Sequence, residues 1–147
     1  MKQMKLTDEI TVGSAMEEAD FAAAKAAGFA SIINNRAHTD KNLNITPEQE
    51  AEEAKKNGMD YRHIPMTSGT LSIGASKEFA KALAELPKPI LAHCAGATRS
   101  ATLWSLAQAA GGMDAEEILK ITGDAGFDLS AHGPLMRGLK EDGEKGR

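Results

Sequence analysis

Cysteine is nearly absent: Cys94 is the one thiol in a chain of 147 residues. That excludes an intrachain disulfide and any multi-thiolate metal or iron–sulfur site within one chain, and it suggests a reducing compartment. Excess positive charge is lacking too, since 17 Lys+Arg against 21 Asp+Glu leave a formal charge of −4. Bulk attraction to nucleic acid or to an anionic membrane is therefore not the expected mode of partner choice. No apolar run approaches the ~18 residues needed to span a bilayer. The opening Met1-Lys2-Gln3-Met4-Lys5 has no apolar core of a signal peptide, so the expected location is cytoplasmic. His38, His63, His93 and His132 form neither an HxxxH nor an HxH pattern. No metal site and no cofactor are expected.

What is present has the balance of one globular domain, 41% hydrophobic and 26% charged, assigned to residues 1–139 with a charged, fraying tail at 140–147. Ser14-Ala15-Met16-Glu17 has capping-box spacing and predicts a helix reaching Ala27, closed by Gly28. Residues 29–34 are a short, partly β-branched apolar run and predict a strand, followed by a polar loop over 34–44. Thr46-Pro47-Glu48-Gln49 opens a second helix ending at Asn57-Gly58, whose many glutamates predict a solvated face. Residues 61–66 predict a strand stopped at Pro65, and a polar loop follows. Ser76 is the expected cap of a third helix carrying Phe79, Leu83 and Leu86 on one face, with Pro87 and Pro89 beyond it. Residues 90–93 read as a buried strand. Residues 100–110 read as a buried helix centred on Trp104 and closed by Gly111-Gly112, Asp114 caps a helix over 116–122, and a last helix falls at 135–139. Strands alternating with helices predict α/β layers with a mostly parallel sheet, and ligands beyond the strand C-termini.

One such junction carries chemistry: His93-Cys94-Ala95-Gly96-Ala97-Thr98-Arg99-Ser100. Small residues at 95, 96 and 97 let successive backbone N–H groups converge on an anion, and the following helix N-terminus adds partial positive charge. A thiol in that setting, beside a guanidinium, is favoured as thiolate, the nucleophilic form. Arg99 can fold its planar fork over the same cradle, and Thr98 and Ser100 can donate hydroxyls. Trp104 and its neighbouring leucines are expected in the core.

The chain resembles the phosphatase-like sulfurtransferases that occur alone or fused to metallo-β-lactamase-type persulfide dioxygenases. The resemblance rests on Ile10-Thr11-Val12-Gly13, Ala27-Gly28-Phe29, Ile32-Ile33-Asn34-Asn35-Arg36, Tyr61-Arg62-His63-Ile64-Pro65 and above all CAGATRSATLWSLAQ. It implies a dual-specificity-phosphatase-like three-layer α/β fold with a central, mostly parallel sheet of four to five strands flanked by helices. It also implies Cys94 as nucleophile, Arg99 as the anion-binding arginine and residues 95–98 as the cradle. Cysteine phosphatases place five residues between cysteine and arginine; here there are four, the shorter spacing of rhodanese-type sulfurtransferases. Dual-specificity phosphatases carry an aspartic general acid on the loop after the strand matching residues 61–65, whereas Met66-Thr67-Ser68-Gly69-Thr70-Leu71 has no carboxylate. Asp40 or His38 on the preceding loop are the available substitutes. Where such proteins have glycine three residues after cysteine, this chain has Ala97.

These departures favour sulfane-sulfur transfer through a Cys94 persulfide, because sulfite or a low-pKa thiolate leaves without protonation. The donor would be a small anion such as thiosulfate, or glutathione persulfide, with Arg36 and His63 lining the mouth and a persulfide dioxygenase as a partner. The alternatives are phosphoester hydrolysis through a Cys94 phosphocysteine, and a non-catalytic thiol redox sensor.

Overall fold

The computed structural model describes residues 1–67 and 71–146. Its strands are β1 (Gln3–Lys5), β2 (Ile10–Gly13), β3 (Ser31–Asn34), β4 (Asp60–His63) and β5 (Ile90–His93). They form one sheet in the order β1-β2-β5-β3-β4, parallel throughout except for the antiparallel β1–β2 edge. The helices are α1 (Glu18–Ala26), α2 (Pro47–Lys56), α3 (Ile73–Glu85), α4 (Thr98–Ala110), α5 (Ala115–Asp124) and α6 (Gly133–Gly146). The expected α/β layers and mostly parallel sheet are what the chain forms.

Alternation along the strands feeds two cores. Val12, Ile33 and Ala92 face α3 and α4 with Phe79, Trp104 and Leu106. Ile32 and Leu91 face the opposite layer, where Phe21 of α1 and Ala54 of α2 meet them. All ten of these side chains but Trp104 are fully buried, and Trp104 is 2% exposed. The first two strands have no counterpart among the predicted elements. β1 is polar and mostly exposed, so its conformation comes from pairing Met4 with Val12 rather than from its own propensity.

Several element ends differ from expectation because side chains find other partners. Ser14 does not cap α1; its Oγ accepts from the Lys2 N–H at 2.7 Å, and Glu17 is the N-cap, in a capping box with Asp20. Ser72, not Ser76, caps α3, its Oγ accepting from the Ala75 N–H at 3.0 Å, while Ser76 is buried inside the helix. Residues 140–146, expected as a charged tail, continue α6. Lys140 there reaches the Asp114 carboxylate and, at 3.7 Å, Glu144. Asp114 consequently sits at the N-cap of α5 without bonding its N–H groups.

The second helix also departs from a purely solvated reading. Thr46 and Gln49 form the anticipated capping box, but Glu50 turns inward and is 1% exposed. Its Oε1 lies 2.8 Å from Nε2 of His93. Truncating it strands a fully buried imidazole, so Glu50→Ala is expected to lower stability by about 2 kcal/mol in urea unfolding.

The register sets up the site. Asn34 pairs with His93 on one side and with His63 on the other, so β3, β4 and β5 end level. The segments that follow them leave the same sheet edge.

Candidate active site

Cys94 follows β5 directly and is 1% exposed. Its N–H donates to Gly13 O at 3.2 Å, and the next residue's carbonyl accepts from Ala15 N–H at 3.1 Å. Gly96 pairs with Ser14 in an isolated antiparallel bridge. The loop is thus pinned along one side to the chain leaving β2. On its other side Ala97 turns left-handed, φ 74°, as N-cap of α4 with no capping side chain. The first helical bond runs from Ala101 N–H to Ala97 O at 3.0 Å, leaving the N–H groups of Thr98, Arg99 and Ser100 ahead of the ladder, as an anion cradle requires.

The glycine sits one position too early for the strain. A Cβ at Gly96 would meet nothing within 4 Å and its φ is not positive, whereas Ala97 carries the positive φ and is fully buried. Ala97→Gly relieves the left-handed strain but loses a buried methyl, so it is expected to stay within about 1 kcal/mol of the parent. Ala97→Val adds β-branching to the same φ and overpacks the site; a loss of about 2–3 kcal/mol in thermal or urea unfolding is expected.

Arg99 enters from the first turn of α4, 8% exposed. Its Nη1 donates to Asp40 Oδ1 at 3.0 Å and to Met66 O at 2.7 Å, and its Nη2 donates to Asp40 Oδ2 at 2.6 Å. Asp40 therefore fills the end-on fork. Neither Asp40 nor Met66 O uses the side-on pair, Nε–H and the second Nη2–H, and Arg99 also hydrogen-bonds toward the Cys94 sulfur, so an oxyanion at the sulfur could share that edge. Burial works against the Arg99 charge, but the Asp40 hydrogen bonds and the nearby Cys94 sulfur outweigh it and hold its pKa above the ordinary value.

Asp40 is held from a second direction. Arg36 Nε donates to its Oδ2 at 3.2 Å, and Arg36 Nη2 donates to Lys41 O at 3.0 Å. Desolvation would raise the Asp40 pKa, yet Arg99 and then Arg36 win and keep it below the usual carboxylate value. Asp40 is ionised near neutrality and is a poor proton donor, which answers one of the two substitutes for the missing acid. The other, His38, is exposed and lies 2.8 Å from Glu48 Oε1.

The remaining expected residues divide. Ser100 does not offer its hydroxyl to an anion: it is fully buried and donates to Asn35 Oδ1 at 2.7 Å. Thr98 is exposed at the cradle rim. Arg36 is buried beneath Asp40 rather than lining a mouth, and His63 Nε2 bonds Arg36 O at 2.6 Å, fastening that loop. Asn35, not singled out by sequence, ties three segments together. Its N–H bonds His93 O, its Nδ2 bonds Ile64 O, and its Oδ1 takes Ser100. Part of the 66–71 segment lies outside the described residues, but its sequence contains no carboxylate.

A cysteine at the end of a central parallel strand, a short loop onto a helix N-terminus and an arginine folded back over it define a cysteine-phosphatase-like domain. Residues 3–111 match the family of the beta-lactamase hydrolase-like protein, phosphatase-like domain, and the chain belongs to that family. A beta-lactamase hydrolase-like protein of Agrobacterium fabrum is 34% identical over 132 residues, covering 89% of this chain and 31% of the relative. A Xylella fastidiosa protein of the same name is 24% identical, covering 88% and 30%. The chain thus spans about a third of the curated relatives it matches. Among solved structures, a candidate phosphatase from Neisseria meningitidis Z2491 superposes with a TM-score of 0.79 at 23% identity, covering 92% of this chain and 96% of the other. Tk-PTP in its active form gives 0.73 at 18% identity, covering 95% and 96%. These neighbours establish the cysteine-phosphatase fold. No helix among the described residues is long and apolar enough to cross a membrane.

Proposed function

We propose that the chain transfers sulfane sulfur through Cys94, from an anionic donor such as thiosulfate or from glutathione persulfide to a nucleophilic acceptor. The Cys94 thiolate attacks the outer sulfur of the donor and a new S–S bond forms. The donor's own bond to that sulfur breaks, and sulfite or a thiolate departs with the electron pair. Sulfite, cyanide or a thiol then attacks the outer sulfur of the Cys94 persulfide and regenerates the thiolate. The observation that carries this reading is the double engagement of Asp40, by Arg99 at 2.6 Å and by Arg36 at 3.2 Å, which favours its carboxylate over a proton donor. With no carboxylate on the 66–71 segment, the site favours leaving groups that need no proton. The four-residue spacing from Cys94 to Arg99 supports the same choice. A separate or fused persulfide dioxygenase is the partner the reading calls for.

Phosphoester hydrolysis through a Cys94 phosphocysteine is the second reading, and the comparisons support it more directly. The family is described as phosphatase-like and the structural neighbours are named as phosphatases. The same thiolate, cradle and side-on Arg99 edge would serve it, with a proton reaching the leaving group from His38 or solvent. Intact mass of the reduced protein after exposure to thiosulfate or glutathione persulfide, beside p-nitrophenyl phosphate turnover, separates the two. A Cys94-dependent gain of one sulfur atom with negligible phosphate release is expected. Cys94-dependent phosphate release without a sulfur adduct would overturn sulfur transfer in favour of hydrolysis.

A further inference from the structure

We propose that Ser14 is a positioning residue for the chemistry at Cys94: fastened by Lys2, it fixes the post around which the Cys94 loop turns and so sets the aim of the anion cradle. This rests on the reading of the loop as an anion cradle and holds for sulfur and phosphoryl transfer alike. Gly13 pairs with His93 in parallel register, yet one residue later Ser14 pairs with Gly96 in the antiparallel sense. Between His93 and Gly96 the chain has therefore reversed direction about residues 13–15. Two main-chain bonds hold that reversal, Cys94 N–H to Gly13 O at 3.2 Å and Ala15 N–H to Ala95 O at 3.1 Å.

The reversal leads straight into strain. Ala97 is left-handed, φ 74°, and no side chain caps α4; such a conformation persists only where its surroundings impose it. On the α4 side Asn35 imposes it, by taking the Ser100 hydroxyl and donating its own N–H to His93 O. On the β2 side the loop is only as firm as residues 13–15, and Lys2 supplies that firmness. Lys2 O accepts from Ser14 N–H at 2.9 Å, and Lys2 N–H donates to Ser14 Oγ at 2.7 Å. An antiparallel pair would close the second bond on the Ser14 carbonyl. The hydroxyl takes that place, so the carbonyl is released while Ser14 stays fastened to the segment ahead of β1. That segment lies directly on Gly13: the Met1 methyl fills the space a Cβ there would take, and Lys2 O is 3.2 Å from the same position. Residues 1–2, 13–15 and 94–96 thus form a small extension of the sheet, with Ser14 in its middle.

The test alkylates Cys94 in the full chain with iodoacetate and with iodoacetamide. Both place a CH2 carbon on the thiolate sulfur and expel iodide with the electron pair of the C–I bond; they differ in the carboxylate that the cradle can hold. The ratio of the two rates therefore reports the cradle and cancels the reactivity of the sulfur. The parent is expected to react faster with iodoacetate. Ser14→Ala should lower that preference about three- to tenfold, the range set by one hydrogen bond. Ser14→Thr, which keeps the hydroxyl, should stay near the parent. The lost bond is exposed to solvent, so Ser14→Ala stays folded, and its thermal midpoint confirms this. An unchanged preference in Ser14→Ala, whatever its thermal midpoint, overturns the proposal and leaves the cradle standing. An equal fall in Ser14→Thr assigns the loss to shape rather than to the hydroxyl and likewise overturns it. A parent with no preference for iodoacetate overturns the cradle and the proposal together. None of these outcomes depends on which group Cys94 transfers.

Discussion

Replacing Cys94 by serine is expected to abolish donor turnover, by roughly 10³-fold or more, while leaving the fold intact. Serine differs from cysteine by one atom and is slightly smaller, and the backbone bond from residue 94 to Gly13 O does not involve the side chain. The buried hydroxyl still finds Arg99 nearby, so an unsatisfied polar group is not created. What is lost is the nucleophile, because a serine hydroxyl at this position has no general base among its described partners. Loss of the sulfur adduct in intact mass, with an unchanged thermal midpoint, is the expected pair of results. Retention of turnover by Cys94→Ser would remove Cys94 from any covalent mechanism, sulfur or phosphoryl.

The central part of this site was legible because it is local. Strand, small-residue loop, arginine and helix start occur within eight consecutive residues, His93 to Ser100, and each has a physical meaning at that spacing. The partners of Arg99 were less legible because they come from other loops. Asp40 can be named from its loop as a candidate acid but not as the partner of Arg99, which it becomes only because β3, β4 and β5 end level and bring it there. Glu50 was lost in a charge-rich helix. The signal that could have found it is its spacing from Ala54 and Pro47, which puts all three on the buried side of α2. Ser100 misled in the opposite direction, since its place after Arg99 suggests a donor to the anion. Only the tertiary contact with Asn35 reveals that its proton is spoken for. The strain at Ala97 follows the same logic: a left-handed N-cap was readable only as a missing glycine, and the φ of 74° shows where the loop bears it.

Arg99→Ala is expected to damage both binding and stability, and pH tells the two apart. Removing the side-on edge should weaken binding of a small anion such as sulfate by about 10- to 150-fold, the loss of a charged hydrogen-bond pair of roughly 1.5–3 kcal/mol. It also leaves Asp40 buried with Arg36 alone, which should lower unfolding free energy by about 3 kcal/mol near neutrality. Asp40 has a folded pKa held below its ordinary value by Arg99 and Arg36, against the opposing pull of burial. A carboxylate depressed in this way contributes stability that is fully present above the unfolded pKa of about 3.9. That contribution is lost as pH falls through the folded value, where the native state must also take up the proton. The gap in stability between parent and Arg99→Ala should therefore be constant from neutrality down to the folded Asp40 pKa of the variant, which lies above the parent's because burial is then opposed by Arg36 alone. Below that it should narrow as Asp40 becomes protonated in both proteins. Urea unfolding across this range checks the ion pair without reference to any substrate. A gap that stays constant into acid would mean that the stability Arg99 confers comes from packing and from its bond to Met66 O rather than from the Asp40 charge.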